Sequence, residues 1–251
     1  LSAAVLLLTS IPAPCALLFS LARWQRAGMH FQPLFQFLLM GLNGAFLTGD
    51  LFNLFVFFEV MLAASYGLAL HGSGIARVRA GLQYIAVNLL ASMLFLIGVS
   101  LIYGMAGTLN MADLAARIPS VPAENRMLLE AGAAILGIAF LVKAGMWPLC
   151  FGLPPPYTAA AAPVAAVFAI MTKVGVYVVL RLWLLFFGHD TADGFGGPVL
   201  LFGGMATIVF GAIGVLASQD SRHLVAFSVL VSSGTLLAAI GTGQAAVTGG
   251  G

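Results

Sequence analysis

The chain has 251 residues, of which 61% are hydrophobic and only 7% charged, with a formal net charge of +2 and a mean hydropathy of +1.08. A soluble domain carries about 25% charged residues to keep its surface in water, so this composition excludes a water-soluble globule and reads as an integral membrane protein in a lipid bilayer. The small net charge gives no electrostatic footprint for nucleic acid, and Cys15 and Cys150 form neither a disulfide framework nor a CxxC motif.

The chain opens inside an apolar stretch with neither an initiator Met nor a basic leader, so no signal peptide is expected. It closes in TGQAAVTGGG. Both ends lead to the expectation of a piece of a longer protein.

A helix needs about 20 mostly apolar residues to cross a bilayer. Eight segments meet this, at roughly 1–21, 32–48, 51–70, 81–103, 128–148, 163–187, 198–217 and 223–241. They are too long for membrane strands and lack strand alternation, so the expected fold is all-α, a polytopic transmembrane helix bundle with one discontinuous helix. The longest aqueous loop, Gly104 to Met127, leaves no room for a soluble domain. Loops after the odd-numbered segments hold Arg23, Arg26, Arg77, Arg79 and Arg222, against Arg117 and Arg126 in the others. Basic loops stay in the cytoplasm, which places Leu1 on the outer side.

Three ionisable residues fall deep inside these segments: Glu59, in GDLFNLFVFFEVMLAASYGLAL, then Lys143 and Lys173. At ~1.5 Å rise per residue, Glu59 lies about 12–14 Å and Lys173 about 15 Å into its helix. A charge at that depth costs about 2.5–3.5 kcal/mol, so each should face protein or water rather than lipid. Lys143 opens KAGMWPLCFGLPPPY. Pro148 cannot donate to the carbonyl of Ala144 and its ring clashes with it, so the helix should break just after the lysine, and Pro148→Ala should straighten it. Non-helical backbone at membrane depth is tolerated where it lines a cavity or is buried in protein, and broken helices carrying charge are a transporter device. PPPYTAAAAP should then form a tight re-entrant connection.

Bland readings stand beside these. Glu59 could be a structural partner for an arginine or a backbone group, and Lys143 could snorkel to the cytoplasmic interface. Arg181 reads as an anchor near the outer interface, and His223 as a surface or capping residue or a proton relay. Asn88 and Ser92, one turn apart, could glue helices together or hold water. No nucleotide loop, metal-spaced cluster or nucleophile elbow is present in the sequence, so neither an enzyme nor a cofactor or metal is expected. What remains is a set of titratable groups in an apolar bundle, which suits the movement of protons or ions.

TGDLFNLFVFFEVMLAASY, FLVKAGMWPLCFGLPPPY and PVAAVFAIMTKVGVYVVLR resemble the D-type subunits of the Mrp-type monovalent cation (Na+ or K+)/proton antiporters, relatives of the antiporter-like membrane subunits of respiratory complex I. The resemblance covers nearly the whole chain. It implies a fold of fourteen helices with two inverted five-helix repeats, of which this chain would supply the third through tenth helices. Residues 1–30 would then be a preceding helix and loop, 31–187 the first repeat and 198–251 the start of the second, all within a single transmembrane domain. By motif, Glu59, Lys143 and Lys173 are the proton-translocating groups, with Pro148, Asn88, Ser92 and His223 in support. Leu153, Pro154 and Pro155 stand where many relatives have LPD or LPG, which bears on the loop but not on the buried charges. The resemblance further implies other antiporter subunits as partners, protons and monovalent cations as cargo, a role in pH homeostasis and a place in the bacterial inner membrane.

Glu59 and Lys143 are expected to form a charge pair that closes and opens as a proton passes. Apart from its carboxylate, a buried ammonium is poorly stabilised and gives up its proton, to Lys173 through water near Asn88 and Ser92. Two rivals share these residues: a proton-pumping membrane component of a complex I-like oxidoreductase or membrane hydrogenase, and a non-conducting structural component.

Overall fold

The computed structural model describes residues 2–23, 30–71, 74–187 and 196–248. Their chain order is α1 (Ser2–Ser10), α2 (Pro12–Arg23), α3 (Phe31–Leu47), α4 (Leu51–Leu70), α5 (Ile75–Ala106), α6 (Met111–Arg117), α7 (Ala123–Ala144), α8 (Pro154–Ala159), α9 (Ala162–Phe187), α10 (Gly196–Ala217) and α11 (Ser221–Thr248), with 3-10 turns at Ile118–Ser120 and Leu149–Gly152. Among the described residues the only strand-like pairing is an isolated bridge between Asp50 and Asn110. The protein is an all-α membrane bundle in which α4, α5, α7, α9, α10 and α11 are long and apolar enough to cross a bilayer.

Several expected boundaries move for local reasons. The segment 1–21 is two helices, because Pro12 lacks an N–H for the preceding turn yet suits the first position of a new helix. The segment 32–48 is the 17-residue α3, short for a full crossing. The Gly104–Met127 loop contains α6 and a 3-10 turn, and α11 runs on through most of the expected tail. Arg77, Arg79, Arg126 and Arg222 therefore sit within the first two turns of helices rather than in loops. Arg26 and Leu1, which the orientation also used, lie outside the described residues.

One end of the bundle is tied by paired caps. The Oδ1 of Asp50 accepts from the N–H groups of Phe52 and Asn53 at the start of α4. Asn110 does the same for Ala112 and Asp113 at the start of α6. Each cap saturates N–H groups that the helix itself cannot, typically worth ~1 kcal/mol. Two backbone bonds, Leu51 N to Leu109 O at 2.9 Å and Met111 N to Gly49 O at 2.8 Å, join the capped turns.

At the centre stands α9, with 72% of its apolar stretch buried and with α1–α4, α6–α8 and α11 packed around it. By contrast only 22% of the α10 stretch is buried, and α10 pairs mainly with α11. Between α4, α5 and α7 the core is aromatic: Phe140 meets Phe58 at 5.4 Å and Phe95 at 5.0 Å, both edge-on. Such pairs contribute about 0.5–1.5 kcal/mol beyond their burial, and they fix the helices that carry Glu59 and Lys143.

Candidate functional site

Lys143 is the next-to-last residue of α7, which ends at Ala144 because Gly145 adopts the left-handed conformation at φ 74°. Only glycine takes that conformation without penalty. The N–H of Gly145 returns to Leu141 and Val142, and that of Met146 to Leu141 O at 3.0 Å, closing the helix in a Schellman-type turn. Pro148, preceded by a cis peptide bond, begins the following 3-10 turn. The break thus falls where expected, directly behind the lysine, but it is already complete before the proline. Within PPPYTAAAAP, the expected connection to the next helix, Pro154–Ala159 forms α8, whose last carbonyl, Ala159 O, accepts from Arg77 Nε at 3.0 Å.

Although Lys143 is next to the end of α7, it lies among residues of other helices, Phe58 of α4, Tyr84 and Asn88 of α5 and Thr172 of α9. It is 8% exposed, and its Nζ lies 5.1 Å from the centre of the Phe58 ring. Nζ is out of solvent and has no hydrogen-bond acceptor among the described residues. Snorkelling is therefore not its conformation. It lines a cavity of about 30 Å³ together with Phe58, Tyr84, Asn88, Tyr157 and Thr172. That is room for roughly one or two waters.

Glu59 lies one residue beyond Phe58 on α4, half-buried. Its Oε1 accepts a short hydrogen bond from Ser92 Oγ of α5. Among the described residues the one contact of opposite charges within 4.0 Å is the exposed Arg117–Asp113 pair, so Glu59 and Lys143 interact electrostatically without touching. The expected charge pair is not in contact in this structure, and among the described residues no arginine pairs with Glu59 in its place. Ser92 thus holds Glu59 itself. Asn88, one turn away, donates from Nδ2 to Tyr84 O at 2.9 Å and lines the cavity.

Lys173 of α9 follows Thr172, a cavity residue, and reaches α11 instead. Its Nζ donates to Ser233 Oγ at 3.1 Å and to Val229 O at 3.4 Å, both on α11. Ser233 is fully buried. The sequence reading missed it, although a serine near the middle of an apolar helix was the available signal; its partner sits 60 positions away. It also missed Gly175. A Cβ there would lie 2.6 Å from Ala144 N and 2.9 Å from Lys143 C, so this glycine lets α9 approach the end of α7.

Two supporting expectations fall elsewhere. Arg181 Nη1 donates to Thr48 O at 2.6 Å and to Tyr177 OH at 3.4 Å, so it ties α9 to the end of α3. His223 is exposed in the first turn of α11, about 15 Å along the helix from Ser233 at ~1.5 Å per residue, and joins none of these groups. Among the described residues no set of His, Cys, Asp or Glu side chains could hold a metal ion.

By contact the site is thus a row of polar groups: Glu59 and Ser92, then Asn88, Lys143 and Thr172 at the cavity, then Lys173 and Ser233. Residues 48–250 match the family described as the transmembrane region of NADH:quinone oxidoreductase and Mrp antiporters. The chain belongs to that family. Over 97% of its length it is 66% identical to the D-type component of a probable K+/H+ antiporter from Rhizobium meliloti, covering 46% of that protein. Over 86% it is 41% identical to the D-type component of the Na+/H+ antiporter of Alkalihalophilus pseudofirmus, covering 43%. In solved structures it matches a chain of the Mrp complex from a Dietzia species, with a TM-score of 0.86 and 33% identity over 96% of this chain and 44% of that one. It also matches a chain of an archaeal respiratory complex, the membrane-bound sulfane sulfur reductase, at a TM-score of 0.77 and 31% identity, over 82% of this chain and 42% of that one. The chain therefore spans less than half the length of the relatives it matches, and it shares with them the all-helical membrane architecture of Mrp and complex I antiporter-like subunits.

Proposed function

We propose that this chain is part of a multi-pass component of a monovalent cation/proton antiporter complex in the bacterial inner membrane, and that it conducts protons through Glu59, Lys143 and Lys173. The observation that carries this reading is the buried Lys143, which lines a water-sized cavity with no acceptor for its Nζ among the described residues and no carboxylate within 4.0 Å. A purely structural lysine in lipid is paired. One that must take up and give up a proton needs an unfilled place to donate.

In this mechanism a proton enters at Glu59, where Ser92 holds the carboxylate. Lys143 swings from the Phe58 face toward Glu59 and is charged; swinging back, it loses its counter-ion and passes the proton through cavity water beside Asn88 and Thr172 to Lys173. Lys173 delivers it toward α11. Residues 31–187 act as the first five-helix repeat and 198–251 as the start of the second, and the other subunits of the complex carry the cation pathway.

A redox-driven pump is the second reading, favoured by the likeness to the respiratory complex; the higher identity to antiporter subunits weighs for the first. Partners co-purified with the full-length protein separate them, small antiporter subunits in one case and iron–sulfur subunits in the other. The test of conduction is cation-driven proton movement in vesicles containing the whole complex. Glu59→Gln, which keeps the shape and the bond to Ser92, should assemble and lose most transport. Full activity in that variant would refute the mechanism, and loss of assembly in proportion to activity would favour a scaffold.

A further inference from the structure

The turn that ends α7 satisfies the N–H groups of Gly145 and Met146 from within the helix, but not the next one. The N–H of Trp147 is taken by Thr207 Oγ1 of α10 at 2.8 Å. Thr207 has no solvent exposure. Its own hydroxyl proton goes to Gly203 O at 2.6 Å, so the oxygen can meet Trp147 only as an acceptor, and the direction of the contact is fixed. The same turn of α10 seats Met146: a Cβ on Gly203 would lie 2.5 Å from the Met146 sulfur. Trp147 itself is 44% exposed, so its side chain does not bury this segment. The backbone bond to Thr207 does.

We infer that Thr207 is a positioning residue for proton transfer, anchoring the broken end of α7 to α10 and so fixing where Lys143 stands. The inference rests on the reading of Lys143 as a proton carrier. Without the anchor, the Gly145–Pro148 segment has a free, part-buried donor and can shift, carrying the last turn of α7 and its lysine away from Phe58 and the cavity. The hairpin of α10 and α11 also takes the ammonium of Lys173 at Ser233 and Val229. Thr207 therefore places the donor lysine relative to the same hairpin that receives the acceptor lysine.

The test uses the whole complex in proteoliposomes. Thr207→Val keeps the branched shape and removes the acceptor; Thr207→Ser keeps the hydroxyl. In Thr207→Val, hydrogen exchange of the segment 145–152 should quicken, and transport per assembled complex should fall roughly tenfold or more, the scale expected when a reacting group is misplaced. Thr207→Ser should restore both. If Thr207→Val fails to assemble, Thr207→Cys, a weaker acceptor, should fall well below Thr207→Ser, and equal transport in those two would overturn the inference. So would normal transport in Thr207→Val, a loss that Thr207→Ser does not restore, or a loss that merely follows the amount of complex. Lys143→Met, measured alongside, separates the two levels. If it is inactive while Thr207→Val is not, the anchor alone is wrong; if it transports normally, the proton-carrier reading falls and the anchor with it.

Discussion

Ser233 shows how one side chain can set the direction of a charge. Its oxygen accepts from Lys173, and Val229 O alone would be a weaker and longer second partner. Ser233→Ala should leave the bundle assembled, since a hydroxyl is exchanged for a hydrogen in a packed site, but the ammonium would retain only one acceptor from α11. Transport should fall several-fold in vesicles, with Ser233→Thr closer to the parent; equal activity in all three would remove Ser233 from the path. A different residue governs behaviour outside the membrane. His71 follows the last turn of α4, meets the Phe31 ring at a tilt with 5.6 Å between centres, and has a buried Nε2 without a hydrogen-bond partner among the described residues. Burial, and then the charges of Arg77 and His30, hold its imidazole below its ordinary proton affinity. The unfolded chain then binds the proton more readily. The stability His71 contributes is complete above the unfolded value of about 6.5 and is lost as pH falls from there through the lower folded value. Thermal melting of the purified complex should weaken over that acidic window, and His71→Leu should flatten the curve. An equally steep curve in that variant would assign the effect to another group.

At the scale of the element, the break in α7 is the decisive feature, and it separates two substitutions that the sequence treats alike. Gly145→Ala forces a Cβ into a left-handed position, costing roughly 1–2 kcal/mol, and drives it into Leu153 Cδ1. Impaired assembly or markedly reduced transport should follow. Pro148 comes after the helix has already turned away, so Pro148→Ala should leave the end of α7 at Ala144, contrary to the sequence-based expectation that it straightens the helix. Severe loss in Pro148→Ala with little effect in Gly145→Ala would restore the proline as the cause. The break was legible in KAGMWP because proline and a buried lysine are each expensive within a membrane helix. Its cause was not, because a glycine in a left-handed turn and a glycine within an apolar helix read the same in sequence. Likewise Glu59, Lys143 and Lys173 stood out by their cost in lipid, and all three lie in the row the fold assembles. Their immediate partners did not stand out. Ser92 could be read as glue or as a water site, and Thr207 and Ser233 gain meaning only from helices distant in sequence. His223, conspicuous as a lone titratable residue, lies outside the row.

Across the whole molecule, the polar groups are arranged sideways, from α4 through α5, α7 and α9 to α11, rather than along any single helix. The aromatic core of Phe58, Phe95 and Phe140 and the central position of α9 keep that row in place, while the paired caps of Asp50 and Asn110 hold one end of the bundle shut around it. A lateral row has a consequence for combined substitutions. If Glu59, Lys143 and Lys173 act in series on one proton, blocking the path at one point leaves nothing for a second block to remove. Glu59→Gln and Lys173→Met, on helices apart from one another, should each depress vesicle transport strongly, and the double variant should be no slower than the slower single one. Parallel routes predict the opposite, with losses that multiply as independent free energies add. Assembly must be measured with each variant, because breaking the electrostatic partner of a buried charge costs several kcal/mol and could mimic a block. Lys143→Met provides that control, since it removes a buried ammonium that has no acceptor among the described residues and should assemble at least as well as the parent. A double variant with multiplied losses, at undiminished assembly, would show that Glu59 and Lys173 serve separate routes.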